Sequence, residues 1–550
     1  MLNAYPRPQM RRDSFFNLNG EWDFAITGGQ RPDAFAHSIE VPYPPESARS
    51  GICRRIEAHE VMWYRKTFTL PDGFNRGRML LHFGAVDQIA SVYWNGTKLG
   101  THEGGYLPFS FDVTAHLAAQ NELIVEARDA LDHRYPWGKQ KRSNGGMWYT
   151  PFSGIWQTVW LESVPEPYIS DLVLTPSLDA VTVEVRSSAP VASRIAVETP
   201  SGVIEASCDG SPVRIPIPDP ILWTPEHPHL YPLTVRVGSD TVHSYFALRT
   251  FGTGTVDGIP RLLLNGEPVF LHGVLDQGYW PEGICLPPDD GGYERDILTL
   301  KTLGFNTIRK HIRVEPLPFY EACDRLGMLV LQDFVNNGDY RFLLDTVLPT
   351  IGLKTLSDAR TNRDPITRGI FLDSAKGTIS HLYNAPCVIG WTIFNEGWGQ
   401  FCANEVYHTL KPLDPTRIFD ATSGWFFRGE SDVQSEHVYF KPFRPRFGKK
   451  PYLLSEFGGY VYTTDAGKKY GYRFFTDPDA YRDALEALYR REILPAVERG
   501  LCGAIYTQLS DVEQERNGLL SYDRSISKAN ATAMQAIAKQ LQLAVRQQSR

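Results

Sequence analysis

Two apolar runs in this chain end in a glutamate. Residues 387–400 read CVIGWTIFNEGWGQ, so a buried-looking run stops at Asn395 and Glu396, and residues 451–459 read PYLLSEFGG and stop at Glu456. A carboxylate beside apolar and aromatic neighbours is costly when dry and unpaired, so such a residue is either a solvated turn or has a use. Two carboxyls across one cleft suit glycosidic bond cleavage, in which one protonates the leaving oxygen and the other meets the developing oxocarbenium carbon. Other apolar runs close in polar residues of the same kind: Asp276 with Gln277, Arg309 with His311, Asp333, and His437 with Tyr439. Alone, an Asn-Glu-Gly after a strand is usually a turn; the second glutamate gives it weight.

The elements that must position these residues change character near residue 250. Up to that point the chain is a succession of short alternating segments such as EWDFAI, WYRKTFTL, RMLLHFG and WQTVWLE, broken by Gly, Pro, Asn and Asp, which predicts β-sandwiches. YWNGTKLG places Asn95-Gly96 between two strand-like runs and predicts a hairpin, and VPEPY near 164–168 marks a boundary. The expected division is a first sandwich over 1–165, a second over 166–250 and a third domain over 251–550. In that third domain apolar strands alternate with amphipathic stretches of helical length. Candidate strands lie at 270–276, 307–311, 328–334, 388–394, 417–422, 435–439, 451–456 and 502–508, which predicts a (β/α)8 barrel with its chemistry at the C-terminal strand ends. The stretches GWFFRGESDVQ and KPFRPRFGKK, around strands five to seven, are too short or too Pro-rich for full helices.

Bulk properties exclude several classes. The 550 residues carry a net charge of −7 with both signs scattered, so neither nucleic acid nor an anionic membrane surface is expected as a partner. Seven cysteines, odd in number and without a C-x-x-C pair, argue against a disulfide framework and a structural zinc site. No signal peptide or membrane-spanning run is visible, which reads as cytoplasmic. GTGTVDG at 252–258 lacks the strand-turn-helix frame of a dinucleotide fingerprint, and the basic loop 441–451 reads as solvated.

The order sandwich, sandwich, barrel, together with NLNGEWDF, WYRKTF, YWNGTKLGTHEGGYLPFSFDVT, SGIWQTVWLE, LLNGEPVFLHGV, LGFNTIRKH, NAPCVIGWTIFNEGWG and SEFGG, resembles glycoside hydrolase family 2 over nearly the whole chain. The resemblance implies a jelly-roll sugar-binding-like domain, an immunoglobulin-like domain and a catalytic barrel. It also implies a retaining mechanism, a carbohydrate or glycoside substrate and self-association into a homo-oligomer; the two-carboxylate chemistry itself needs no metal or organic cofactor. It makes Glu396 the acid/base, Glu456 the nucleophile and Asn395 the residue that binds the sugar 2-hydroxyl, with Arg309 and Tyr439 flanking the nucleophile. Retention needs the two carboxyls about 5–5.5 Å apart, and a cation at Arg309 would hold Glu456 ionised while Glu396 keeps the proton. Asp276, His311 and His437 complete the candidate substrate contacts, and Trp398 is the aromatic expected to stack on a sugar face. His272 is expected in the core.

The chain departs from the family pattern at several points: RKHIRVEP stands where the large galactosidases have a longer Ser-His-Tyr-Pro turn, and their magnesium-binding acidic and histidine residues have no clear counterpart. Glu515-Arg516-Asn517 stands where glucuronidases carry Asn-x-Lys, and Tyr506 stands for the usual tryptophan of strand eight. The loss of the Asn-x-Lys pair speaks against a uronic acid substrate, so a β-galactosidase-like activity is the first expectation, with β-glucuronidase or β-mannosidase activity as the alternative. Arg313, Arg444, Arg446 and Arg516 are the cations that could restore the charge from another side. A carbohydrate-binding protein without catalysis is the reading from another class.

Overall fold

A computed structural model describes residues 3–350, 353, 357–463 and 467–547. The first domain pairs a four-stranded sheet (Phe15–Asn17, Val159–Val164, Arg78–Phe83, Phe109–Asp112) with a six-stranded one (His37–Val41, Gly20–Thr27, Val61–Phe68, Asn121–Arg128, Ile89–Trp94, Thr97–Glu103). Inward positions alternate along each strand, so Trp22, Phe24, Leu81, Phe83, Val92 and Trp94 meet between the sheets. The Asn95-Gly96 hairpin forms as its sequence predicts: Trp94 pairs with Thr97, and both turn residues take the positive φ that a two-residue hairpin demands (+47° and +80°). The second sandwich stacks a three-stranded sheet (Ile169–Pro176, Ala180–Ser187, Val213–Pro216) on a four-stranded one (Gly202–Cys208, Ser193–Thr199, Tyr231–Val237, Asp240–Phe246).

The third domain is a parallel eight-stranded barrel: β1 (Leu271–Asp276), β2 (Thr307–Lys310), β3 (Leu329–Asp333), β4 (Val388–Asn395), β5 (Ile418–Ser423), β6 (Gln434–Val438), β7 (Tyr452–Gly458) and β8 (Leu501–Thr507). Every strand lies within two residues of its predicted position. The ladder runs β5-β4-β3-β2-β1-β8-β7-β6, and among the described residues no backbone ladder joins β5 to β6. Side chains cross that seam instead: Ser435 Oγ donates to Asp420 Oδ1 at 2.9 Å. Helices α1 (Gly292–Thr302), α2 (Leu317–Leu326), α3 (Pro365–Leu382), α4 (Ala403–Leu410), α5 (Pro478–Leu488) and α6 (Ala531–Gln547) belong to the outer layer. None is long and apolar enough to cross a membrane among the described residues. Inside the barrel Leu271, Leu275, Leu331, Ile389, Ile418 and Ile505 form a packed core, closed from below by Phe251, Leu262 and Leu264 of a hairpin at the start of the domain. Val274, Ile308, Val330 and Tyr506 face outward, against the helices.

Candidate active site

This alternation decides which strand-end residues reach the mouth. On β2, Ile308 and Lys310 face out, so Arg309 faces in, fully buried. Its guanidinium is shared among three strands: Nε donates to Asp333 Oδ1 (3.0 Å), Nη1 to Glu456 Oε1 (2.9 Å), and Nη2 to Asn395 Oδ1 (2.8 Å). Asp333 also meets His311 Nδ1 through its other oxygen at 2.9 Å. Breaking such a buried, hydrogen-bonded pair by removing one partner costs about 3–5 kcal/mol, so β2, β3, β4 and β7 are locked in mutual register where the site is built.

Beyond Asn395 the chain turns sharply. Glu396 has φ of +51° and Gly397 +78°, a left-handed turn that a glutamate adopts only when its surroundings impose it. Here Glu396 N donates to Ser423 O on β5, and Trp425 Nε1 donates to Glu396 O, each at 2.9 Å. The turn directs the Glu396 carboxyl at His437, whose Nδ1 lies 2.7 Å from Glu396 Oε1 and whose Nε2 lies 3.6 Å from Glu456 Oε1. Tyr439, just past β6, donates to Glu456 Oε2 at 2.5 Å and reaches Glu396 Oε1 at 3.4 Å. Tyr472 stacks on the Tyr439 ring at 4.0 Å between centroids. The donor atoms of Glu396, His437 and Glu456 all lie within 4.8 Å of one another, which is also metal-ligand spacing. The Arg309 guanidinium against Glu456 opposes a cation there.

Burial separates the protonation states. It raises the Glu396 carboxyl to about 7, against the opposing pull of His311, Lys139 and Arg309, so Glu396 holds a proton near neutrality. Burial also lowers His437 to about 3, which keeps the imidazole neutral between the two glutamates. Tyr439 is raised well above its ordinary value by burial and by the Glu456 charge, so it remains a donor. Asn395 Nδ2 is buried with no hydrogen-bond partner among the described residues, an unused donor at the mouth.

The structure therefore brings together Asn395, Glu396, Arg309, Tyr439, His437, Glu456 and, through Asp333, His311. Three expectations are corrected. Asp276 faces away from the mouth, because on β1 residues 271 and 275 point into the barrel core and 274 points out with 276; its carboxylate is ion-paired to Lys310 in the outer layer. Trp398 is 2 % exposed and its ring stacks on Trp148 at 5.3 Å, so it packs in an aromatic cluster and offers no sugar platform. Tyr506 also points outward, against Phe457; past the end of β8, Gln508 bonds Gln277 (2.7 Å). Of the alternative cations, Arg313 is spent on Glu315 (3.0 Å), and Arg444 and Arg446 are exposed on the loop after β6.

Trp148, like Trp280 and Trp425 a weaker candidate for stacking on a sugar face, belongs to a segment whose reach over the barrel mouth sequence reasoning missed. The long segment 131–151 of the first sandwich reaches over the barrel mouth: Trp137 N donates to Asn336 O and its Nε1 to Gly338 O, both at 3.0 Å. It also carries Lys139, whose Nζ lies 3.3 Å from Glu515 Oε2 and 3.3 Å from Tyr149 OH. The available signal was a Gly- and Trp-rich run, WGKQKRSNGGMWYTPFSG, too long for an ordinary hairpin connection.

Comparison with known proteins agrees with this architecture. Family models match residues 47–151 (glycosyl hydrolase 2 galactose-binding domain-like), 168–249 (glycosyl hydrolases family 2) and 257–444 (glycosyl hydrolases family 2, TIM barrel domain). A β-galactosidase of Thermoanaerobacter pseudethanolicus is 26% identical over 442 residues, 74% of this chain and 54% of that protein. A β-glucuronidase of Canis lupus familiaris is 25% identical over 476 residues, 75% of this chain and 69% of its own length. The chain thus spans about half the length of the first of these relatives. Among solved structures, a GH2 β-galacturonidase from Eisenbergiella tayi has a TM-score of 0.72 at 21% identity, with 98% of each chain covered. A β-glucuronidase of an uncultured Clostridium sp. reaches a TM-score of 0.77 at 18% identity, covering 98% of this chain and 99% of that one. With three models of one family matching, in order, most of both sandwiches and the barrel as far as residue 444, and a barrel mouth carrying two apposed glutamates, the chain belongs to glycoside hydrolase family 2.

Proposed function

We propose that the chain is a retaining exo-β-glycosidase that releases a terminal neutral sugar, with β-galactosides as first substrates. The observation that carries this reading is the pair Glu396 and Glu456, with oxygens within 4.8 Å of each other and opposite surroundings: Arg309 and Tyr439 hold Glu456, while burial keeps the proton on Glu396. That proximity favours attack by one carboxylate over the wider-spaced, water-activating pair of an inverting reaction. In the first step a Glu456 oxygen bonds C1, the bond from C1 to the aglycone oxygen breaks, and the Glu396 proton passes to that oxygen. In the second, Glu396 takes a proton from water, the water oxygen bonds C1 and the ester to Glu456 breaks. As sugar forms the ester, the Glu456 charge is consumed and Glu396 ionises more readily. Asn395 Nδ2, unpartnered in the free site, is the donor for the 2-hydroxyl.

A neutral sugar is favoured because the two buried cations beside the glutamates are committed: Arg309 is bound by Asp333 and Glu456, and Lys139 by Glu515. A substrate carboxylate would have to be desolvated there without a partner. β-Glucuronidase and β-mannosidase activities are the rivals within the family, and a binding protein without catalysis is the rival outside it. We also expect a homo-oligomer, read out by analytical ultracentrifugation. The deciding experiment is a panel of nitrophenyl β- and α-glycosides, followed by trapping with an activated 2-deoxy-2-fluoro β-galactoside. Cleavage of the β-galactoside and a stable sugar ester on the peptide containing Glu456 are expected. An ester elsewhere, or no β-glycoside turnover, would refute the reading.

A further inference from the structure

The segment 131–151 does more than roof the barrel. Lys139 and Glu515 come from different domains, 376 positions apart, yet their side chains are 7% and 3% exposed and meet in the wall of the mouth. Gly138 fixes the approach: its φ is +66°, and a Cβ there would lie 3.1 Å from Ile312 O, so the backbone preceding the lysine is pressed against the barrel. The same Glu515 Oε2 accepts from the Tyr149 hydroxyl, and Oε1 accepts from Asn517 Nδ2 (3.2 Å), while Asn517 Oδ1 has no partner among the described residues. Both ends of the pair are tied to residues that neighbour the catalytic glutamates. Lys139 acts on the Glu396 carboxyl by its charge, and Trp148 of the same segment stacks on Trp398, two residues past Glu396. Gln514 O, beside Glu515, accepts from Tyr470 N, two residues from the Tyr472 ring that stacks on Tyr439.

We propose that the Lys139–Glu515 pair is a specificity element, in which the Glu515 carboxylate occupies the ammonium that a uronic acid substrate would otherwise bind, and so excludes uronides. The inference rests on the two-glutamate glycosidase reading of the site. Ammonium and carboxylate are mutually satisfied, and a second carboxylate brought in on a substrate meets a cancelled charge and the repulsion of Glu515. Removal of the Glu515 charge leaves a buried ammonium without a counter-ion, a state that a substrate carboxylate relieves.

The test is the ratio of kcat/KM for nitrophenyl β-galacturonide to that for nitrophenyl β-galactoside, measured for wild type, Glu515→Gln, and Glu515→Gln combined with Lys139→Met. The ratio is expected to rise at least about tenfold in Glu515→Gln and to fall back in the double variant. An unchanged or lower ratio in an active Glu515→Gln enzyme overturns this inference and leaves the glycosidase reading intact. No turnover of any β-glycoside by wild type sinks both. Should Glu515→Gln fail to fold, inhibition of the wild type decides: galacturonate is expected to bind at least about tenfold more weakly than galactose. Equal or tighter inhibition by the uronate overturns the proposal.

Discussion

At the scale of single residues, the two glutamates differ in what surrounds them, and their replacements should differ in kind. Glu456→Gln keeps the shape and most hydrogen bonds but cannot form a glycosyl ester, so turnover should fall by roughly three orders of magnitude or more with cooperative unfolding retained. A purified variant with turnover near wild type would exclude the nucleophile role. Glu396→Ala should spare activated aryl glycosides in the first step and cripple alkyl or sugar leaving groups, which need the proton. With that carboxyl raised to about 7 and required in its protonated form, wild-type kcat/KM should decline as pH rises through about 7. Persistence of this decline in Glu396→Ala would assign it to another group. The residues in this constellation were legible because each closes an apolar run. Asp276 was misread because β1, LHGVLD, is buried on both faces and shows no alternation from which its inward side could be told.

At the scale of elements, the barrel strands were legible from runs of apolar residues, and the two connections judged unfit for helices hold none in the described chain after β5 and β6. What could not be read was the seam between those strands, since the absence of a ladder depends on closure of the whole ring. Helix α3 sets the entry to β4, and Asp364 caps it by accepting from Thr367 N (3.1 Å) and Thr367 Oγ1 (2.6 Å), with Pro365 at the first position. Asp364→Ala should lower stability measurably, seen as a lower urea midpoint at unchanged slope. An unaltered midpoint would mean that tertiary packing alone holds the start of α3.

At the scale of the whole molecule, the roots of the inserted segment sit on buried acids of the first sandwich. Ser153 Oγ lies 2.7 Å from Glu46 Oε1 and 3.1 Å from Asp129 Oδ2, so its single proton cannot serve two ionised carboxylates at once. Burial raises Glu46 to about 8, and it raises Asp129 and Asp87 as well. The sign follows: the folded state holds protons that the unfolded chain releases near the ordinary carboxyl value, so this cluster's cost is absent in acid and grows as pH climbs towards about 8. Wild-type Tm should therefore fall more between about pH 5 and about pH 8 than that of Glu46→Gln, which cannot ionise. Parallel Tm profiles would remove Glu46 from the account. None of this was visible in the sequence, where a strand-rich domain and a barrel read as separate units. Segment 131–151 gives their junction a further meaning for descent: a lineage that exchanged its N-terminal domain by recombination would inherit a new substrate wall in the same event, with every barrel residue unaltered.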